Sequence, residues 1–187
     1  MKRWKAEAVQ EREIEVKIIG ADETILKATL EQLGAVYDVT EEQINYRINA
    51  SGHPIASPAY LRIRVVRTDH TVTRRELTFK TRLSSKRARI NQEVTALIEN
   101  EEDMLRVLAC MGYDQIDVGT KRRERYLYRG CRIEFDKWDK KTLSYPYVEI
   151  EAPSEEALER ILEELKIDRS FVSTKSIAEL KREDPGV

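Results

Sequence analysis

Two short acidic patterns, far apart in the chain, have the spacing of side chains that share one face of a β-strand. Glu13 and Glu15 occur in "EIEVK", and Glu149 and Glu151 occur in "YVEIE". Alternate residues of a strand point to the same side, so each pair places two carboxylates about 7 Å apart. Such carboxylates repel one another unless a cation lies among them. The patterns predict either a solvated strand face or a site for divalent metal ions, with Mg²⁺ or Mn²⁺ favoured because the ligands are oxygens.

Basic residues alternate in the same way in three other segments. These are "YLRIRV" with Arg62 and Arg64, "ELTFKTRL" with Lys80 and Arg82, and "KRRERY" with Lys121, Arg123 and Arg125. Taken singly, each is most simply a strand of an antiparallel sheet whose polar face meets water. However, a fully exposed face would also contain Thr, Ser, Gln and Asn, whereas acids here are concentrated in some strands and bases in others. A sheet that curls with its charged face inward would instead form a barrel with a polar lumen.

Such a lumen would bind polyanions through its bases and divalent cations through its carboxylates. Two more segments contribute acids: "RIEFD" places Glu134 and Asp136 on one face, and "RARINQEV" contains Glu93. A triphosphate bound with Mg²⁺ or Mn²⁺ is a ligand that needs both kinds of group. The pattern therefore predicts either ordinary exposed strand faces or a barrel that binds a triphosphate.

The composition predicts a folded protein in which the two signs of charge nearly cancel. Of the 187 residues, 41% are hydrophobic and 36% are charged. This charged share exceeds the usual value of about 25%. The 33 basic and 34 acidic residues leave a net charge of −1. A general nucleic-acid binder driven by global positive charge is therefore disfavoured, although a local basic groove is compatible with these totals.

Several other classes of protein are disfavoured by what the sequence lacks. Cys110 and Cys131 have no CxxC spacing, and His53 and His70 fall in predicted loops, so neither a disulfide framework nor a zinc site is expected. Cys110 is predicted to lie in the core and Cys131 at an exposed turn. No apolar run is long enough for a transmembrane helix, and the N-terminal "MKRWKAEAVQ" lacks a signal-peptide core. We expect a cytoplasmic protein without a membrane partner.

The residue periodicity predicts about eight strands and three or four helices. Helices are expected after Asp22, after Asn100 and after Ser154, because each of these residues is a favourable N-cap before an apolar helical pattern. A shorter helix is expected in the tail, within "SFVSTKSIAELKRED". No Pro/Gly/Ser-rich linker divides the chain. The prediction is a single α+β domain over residues 1–187, built on an antiparallel sheet.

Six motifs, in order, resemble those of the CYTH superfamily, the triphosphate tunnel metalloenzymes. "EIEVK" is similar to the N-terminal ExExK signature of that family, and "LRIR", "LTFK" and "KRRERY" are similar to its basic tunnel strands. "IEFDKW" resembles its late acidic strand, and "YPYVEIEAPSEEAL" resembles its last strand and the helix that follows. The resemblance covers about residues 11–165 and leaves a helical tail at 166–187. An ExExK match alone would be weak, but six motifs in order are specific.

The resemblance implies an eight-stranded antiparallel β-barrel, a tunnel with helices packed outside, that binds a linear triphosphate with Mg²⁺ or Mn²⁺. It implies that the central catalytic and metal-binding residues are Glu13, Glu15, Glu149 and Glu151. Further acidic metal ligands would be Glu93, Glu134 and Asp136. Phosphate oxygens would be neutralised by Lys17, Arg62, Arg64, Lys80, Lys121 and Arg123. A metal-activated water would attack the terminal phosphorus, without a His, Ser or Cys nucleophile.

Two segments depart from the family pattern. In "QINYRI", Asn45 stands where the family often has an acid within a D-x-Y-Y/F motif. In the tail, "STKSIAELK" matches the family's Ser/Tyr-containing closing helix only loosely, so no role is assigned to Lys175. Both departures concern the choice of substrate rather than the fold.

Three functions remain open at this point. The first is hydrolysis of inorganic triphosphate or of an organic or nucleoside triphosphate, which we favour because no adenine pocket can be assigned. The second is the class IV adenylyl cyclase reaction, which converts ATP into cyclic AMP and pyrophosphate. The third is non-catalytic binding of polyphosphate or nucleotides. A monomer or a homodimer is expected from the resemblance.

Overall fold

The computed structural model describes residues 11–186 of the chain. Residues 1–10, which include Trp4 and the segment inspected for a signal peptide, lie outside the described residues, as does Val187. The strands are β1 (Glu11–Ile19), β2 (Val36–Asn49), β3 (Ala59–Thr68), β4 (Thr71–Ser84), β5 (Arg89–Leu97), β6 (Gln115–Tyr128), β7 (Cys131–Trp138), β8 (Tyr147–Ala152) and β9 (Val172–Ser173). The helices are α1 (Glu23–Gln32), α2 (Glu101–Cys110), α3 (Glu155–Glu164) and α4 (Ile177–Glu183), with a 3₁₀ turn at Arg169–Phe171.

Eight of the strands close into an antiparallel barrel. Their order is β5-β4-β3-β2-β6-β7-β8-β1, and an additional β5–β1 pairing completes the circle. The closing pair aligns Glu13 with Asn91 and Ile14 with Ile90. The two-residue strand β9 adds to β1 outside this circle, opposite Lys17 and Ile18. The predicted eight-stranded antiparallel barrel with helices outside is therefore confirmed.

The apolar faces of β1, β7 and β8 point outward and are buried under α1 and α3. Ile14, Val16 and Ile18 of β1 lie in one buried cluster with side chains from α1 and α3, such as Leu30 and Ile161. Since burial of apolar area is the main driving force for folding, this layer orients the strands. The alternate residues of β1, which are charged, must then point into the barrel.

A second apolar cluster covers the other side of the barrel. It contains Ile48 of β2, Leu61 and Ile63 of β3, and Leu108 of α2.

No helix among the described residues is long and apolar enough to cross a membrane.

The predicted helix starts are confirmed by the capping contacts. The side chains of Asp22, Asn100 and Ser154 each accept hydrogen bonds from backbone N–H groups in the first turn of the following helix. These bonds satisfy donors that have no partner within the helix. Beyond the helix ends, Gly34 and Gly112 have φ of 80° and 90°, a conformation in which a Cβ atom is unfavourable.

The two cysteine predictions were wrong, and in opposite directions. Cys110 ends α2 and is exposed, because this short helix turns Leu108 toward the core instead. Cys131 begins β7 and is buried, since its side chain lies on the outward face of the barrel beneath α3. Burial raises the pKa of the Cys131 thiol.

Candidate active site in the barrel lumen

The lumen is lined by charged residues from all eight barrel strands. Twelve of the thirteen residues expected to bind phosphate or metal line one of its two cavities: Glu13, Glu15, Lys17, Arg62, Arg64, Lys80, Glu93, Lys121, Arg123, Glu134, Glu149 and Glu151. The thirteenth, Asp136, lies behind this surface and binds two of the basic side chains. The inward direction of the charged faces, which strand periodicity alone left open, is thus settled.

The two cavities meet within the barrel and form one tunnel. The first has a volume of about 200 Å³ and is lined at its outer end by Trp138 of β7 and by α4. The second has a volume of about 320 Å³ and extends toward the opposite mouth. The residues that line both cavities are Glu13, Arg62, Arg64, Glu93 and Arg123. We call these five residues the central ring.

Glu15 is enclosed by basic side chains. It is only 3% exposed, and Lys17 and Arg89 lie 3.3 Å from its Oε1 atom. Burial nevertheless raises its pKa, because desolvation disfavours the charged form.

The strand register places Glu15 directly opposite Glu151, and Lys17 opposite Glu149. Lys17 contacts Glu149 at 2.7 Å. Burial by itself would lower the pKa of Lys17, but Glu149 and Glu15 outweigh it and raise that pKa.

Lys80 lies among three carboxylates, two on β1 and one on β5. Its Nζ atom contacts Glu13, lies 2.7 Å from Glu93 and is 3.8 Å from Glu15. The side-chain amide of Asn91 also donates to Glu13, at 3.0 Å. Lys80 therefore occupies the position between acids from β1 and β5 that a metal ion shared by them would need.

Arg123 is the centre of a second ion-pair cluster, on β6, β7 and β8. Its guanidinium donates to both oxygens of Asp136, at 2.7 and 2.6 Å, and to Glu149 at 2.9 Å, and it contacts Glu134. Lys121 binds Asp136 at 2.8 Å. Burial alone would raise the pKa of Asp136, but Arg123 and Lys121 lower it. Burial and the nearby Arg123 reduce the pKa of Lys121 to about 8.

Arg62 and Arg64 differ from the other cations of the lumen. Neither has a carboxylate oxygen within 4.0 Å in the described part of the chain. The Nε atom of Arg64 donates to Asn45 at 3.0 Å, and the buried Nε atom of Arg62 has no hydrogen-bond partner. Burial, Arg62 and Arg123 together reduce the pKa of Arg64 to about 10. Two arginines on one strand face, without a carboxylate in contact, form a site that favours an anion.

The described residues contain no ready-made cage for a metal ion. No three His, Cys, Asp or Glu side chains among residues 11–186 come together in a way that could hold one. The acidic side chains expected to bind metal are instead paired with basic ones. Lys80 contacts both Glu13 and Glu93. Arg123 contacts Glu149. Such an arrangement still suits Mg²⁺, which typically binds through one or two carboxylates plus substrate phosphates.

The carboxylates best suited to such an ion are those on β1 and β8. Glu15 and Glu151 are opposite neighbours. Burial and the nearby Glu13 raise the pKa of Glu151 to about 7. Desolvation and nearby like charges disfavour the charged form of such carboxyl groups, and a bound cation would stabilise it. The donor set therefore fits a hard divalent cation.

Sequence reasoning missed several residues of the lumen. Asn45 and Asn91 are buried, and each leaves one amide atom, Nδ2 of Asn45 and Oδ1 of Asn91, without a hydrogen-bond partner. Asn91 lies between Arg89 and Glu93 on the same strand face, so alternation could have identified it. Tyr60 and Tyr147 also line the first cavity, and for these aromatic residues no sequence signal distinguished cavity from core.

Lys175, to which the sequence assigned no role, and Trp138 are now located. Trp138 lines the first cavity, and its indole N–H donates to the hydroxyl of Tyr147 at 3.0 Å. Lys175 is half-exposed and pairs with Glu183 of α4, at 2.6 Å. It lines neither of the two cavities.

The helix α4 lies across the mouth of the first cavity and is held there by Glu179. Arg82 of β4 donates to both carboxylate oxygens of Glu179, at 3.1 and 3.3 Å. The hydroxyl and the backbone N–H of Ser176 also donate to this carboxylate, at 2.6 and 2.7 Å. These bonds from Ser176, supported by Arg82, lower the pKa of Glu179 to about 2.

Acidification is expected to loosen α4 before the barrel unfolds. Because the pKa of Glu179 falls from 4.5 to about 2 in the folded protein, its stabilising contribution is complete above pH 4.5 and is lost as the pH falls toward 2. Hydrogen exchange should show loss of amide protection in α4 across this range. The Glu179→Gln variant should show the same loss at neutral pH. Unchanged protection of α4 in that variant would contradict the anchoring role.

The comparisons with known proteins agree with this geometry. A sequence model described as the CYTH domain matches residues 11–179. No curated protein matches the chain. The structure of the PH1012 protein from Pyrococcus horikoshii is similar, with 24% sequence identity, a TM-score of 0.74, and coverage of 90% of this chain and 98% of that one.

Two further solved structures are similar in fold. One is a candidate adenylate cyclase from Vibrio parahaemolyticus, with 14% identity, a TM-score of 0.70, and coverage of 91% of this chain and 97% of the other. The second is HpAC1 from Hippeastrum, a candidate adenylyl cyclase described as having a dominant triphosphatase activity. It has 18% identity, a TM-score of 0.63, and coverage of 93% of this chain and 96% of its own. At these identities the likeness concerns the fold.

Proposed function

This chain belongs to the CYTH domain family, and from that premise we propose that it is a divalent-metal-dependent phosphohydrolase acting on inorganic triphosphate or an organic triphosphate. Family members are triphosphatases or adenylyl cyclases, so a triphosphate substrate is common to both alternatives. The observation that carries the proposal is the pair Arg62 and Arg64, which face the lumen without a carboxylate partner.

The position of this pair supports binding of a linear polyanion along the tunnel. Arg62 and Arg64 lie in the central ring, where the two cavities meet. Partly buried cations without a carboxylate contact are unfavourable until an anion binds, so the lumen is organised for a phosphate chain. Arg123 of the ring and the basic side chains beside it would contact the remaining phosphate oxygens; those beside the ring are Lys17, Lys80 and Lys121.

The residues of the lumen would act mainly by positioning the substrate and by neutralising its charge. Arg62 and Arg64 would hold phosphate oxygens in the centre, and Arg123, which Asp136 and Glu149 orient, would bind the adjoining phosphate. Glu15 and Glu151, with Glu13, would hold the cation. When bound, Mg²⁺ or Mn²⁺ would neutralise phosphate charge and activate the attacking water. The barrel walls would exclude other water from the reacting centre.

The size of the first cavity favours the hydrolase over the cyclase. Its volume of about 200 Å³ is below the range of about 300–1,000 Å³ that is typical of sites for drug-sized ligands. A nucleoside has to fit there, or beyond it, for a cyclase reaction at the phosphate next to the ribose. With α4 across this mouth, the phosphate chain fits more readily than an attached base and sugar.

Product analysis by ³¹P NMR tests the proposal directly. The protein is incubated with tripolyphosphate and, separately, with ATP, each with Mg²⁺ or Mn²⁺. Orthophosphate together with pyrophosphate from tripolyphosphate, and no product without metal, is the expected result. Cyclic AMP and pyrophosphate from ATP would overturn the hydrolase in favour of the cyclase. Tight binding without any turnover would overturn it in favour of a non-catalytic phosphate-binding protein.

A further inference from the structure

A third cavity opens beside the first one, between α4 and the strands. It shares Arg47, Tyr60, Arg89, Ser176 and Ala178 with the first cavity. Residues of β2, β3, β4, β5 and α4 line it, together with the loop between β2 and β3. We call this cavity the side pocket. Its volume of about 190 Å³ is below the range of about 300–1,000 Å³ typical of sites for drug-sized ligands, so it suits a small ion.

Four arginines from four different elements meet in the side pocket. They are Arg47 of β2, Arg82 of β4, Arg89 of β5 and Arg182 of α4. Among the described residues that line the pocket, Glu179 is the one carboxylate. Arg82 already donates to both of its oxygens. The walls of the side pocket therefore carry more positive than negative charge.

Two of these arginines have no acidic partner. Neither Arg47 nor Arg182 lies within 4.0 Å of a carboxylate oxygen in residues 11–186. The guanidinium of Arg47 lies over the ring of Tyr60, 5.0 Å from its centroid. The Nε atom of Arg182 donates to the backbone carbonyl of Ala178 at 3.1 Å. The terminal nitrogens of both guanidiniums can therefore bind an anion without breaking an ion pair.

Arg89 adds a buried donor to the side pocket. It is only 5% exposed, and its Nε atom lies 3.3 Å from Glu15 on the side of the lumen. Its Nη1 atom has no hydrogen-bond partner, since Glu179 is 3.8 Å away, too far for a hydrogen bond. A buried N–H group without an acceptor is unfavourable, and an oxyanion beside it would supply one.

We propose that the side pocket binds a small oxyanion, inorganic orthophosphate, at a site separate from the central ring. Guanidiniums bind phosphate through paired hydrogen bonds, and arginines from several elements can contact a tetrahedral anion from different sides. None of the five residues of the central ring lines the side pocket, so both sites can be filled at once. The proposed hydrolysis would release orthophosphate, but binding of this ion does not require that reaction.

Calorimetric titration with orthophosphate, without divalent metal, measures binding apart from turnover. The protein first receives one molar equivalent of tripolyphosphate, which fills the lumen. Wild type is compared with Arg182→Gln, Arg47→Gln and Arg106→Gln. Arg106 is the matched control, because it is also an exposed arginine of a helix and pairs only with Glu102 and Asp103 of its own helix among the described residues.

The wild type with tripolyphosphate bound is expected to bind one orthophosphate. Arg182→Gln and Arg47→Gln should each weaken this binding about tenfold, the size of one charge-assisted contact, and Arg106→Gln should leave it unchanged. Absence of orthophosphate binding to wild type would overturn the site, as would a loss in Arg182→Gln and Arg47→Gln no larger than in the control.

The same titration without tripolyphosphate separates this proposal from the proposed function. Failure of tripolyphosphate to bind overturns the proposed function, whereas the orthophosphate site is then still tested by Arg182→Gln against Arg106→Gln. Because Arg182 lines neither lumen cavity, its replacement should leave the tripolyphosphate affinity unchanged.

Discussion

Replacement of Glu151 by glutamine is expected to reduce metal-dependent turnover of triphosphate by about 100-fold or more, since even residues that only support metal ligands cost 10–100-fold. Glu151 lies opposite Glu15 on the wall of the lumen, and burial and Glu13 raise its pKa to about 7. Glutamine keeps the shape of the side chain but removes the charge that would hold the cation. The measurements are the steady-state rate and its dependence on Mg²⁺ or Mn²⁺ concentration.

The same substitution at Glu15 is expected to abolish turnover and also to destabilise the protein. Glu15 balances Lys17, Lys80 and Arg89, and its loss leaves these buried cations undercompensated. Removing one partner of a buried ion pair typically costs about 3–5 kcal/mol. Glu151, which is partly exposed, is therefore the cleaner test. Glu163→Gln, on the exposed side of α3, is the matched control. Near-normal activity in both lumen variants would refute the assignment of this wall to metal.

Replacement of Arg64 by methionine is expected to weaken triphosphate binding and, at the same time, to stabilise the ligand-free protein. A charge-assisted contact contributes about 1.5–3 kcal/mol, so the dissociation constant should rise roughly tenfold to 100-fold. Without ligand, Arg64 is partly buried, has no carboxylate within contact distance and is repelled by Arg62 and Arg123. Removal of this charge should raise the melting temperature, as is common where function is maintained at the cost of stability.

The two effects are measured by calorimetric titration with tripolyphosphate and by thermal unfolding without ligand. Arg67→Met is the control, because Arg67 is on the same strand but lines neither of the two lumen cavities. It should leave the triphosphate affinity unchanged. If Arg64→Met bound triphosphate as tightly as wild type, the central ring would not be the phosphate site. The companion variant Arg62→Ala should show a loss of affinity of similar size.

Local patterns predicted the elements and their faces well. The alternation in β1 correctly paired Ile14, Val16 and Ile18 on one side and the charged residues on the other. The caps at Asp22, Asn100 and Ser154 correctly located three helices. These features depend on residues within one or two turns of each other, so they can be read without knowledge of the rest of the chain.

Contacts between distant segments could not be predicted in the same way. Lys80 lies between Glu13 and Glu93 because β5 closes onto β1. In the sequence, Lys80 is 67 positions from Glu13 and 13 positions from Glu93. The cysteine errors have the same origin, because the neighbours that bury Cys131 come from α3. Strand periodicity identifies a face, whereas the register between strands determines which side chains meet across it.

The sequence by itself therefore determined the charged and apolar faces of the strands, the positions of the helices and the family resemblance, because all of these follow from short-range spacing. Only the tertiary structure decided that the charged faces enclose a lumen and which acids and bases pair there. It also showed that Arg62 and Arg64 have no carboxylate partner within the described residues. The physical reason is that eight strands enclose a lumen only when the two edges of the sheet, β5 and β1, pair with each other. The side chains inside are then buried, so each ion pair, and each charge without a partner, affects stability and binding.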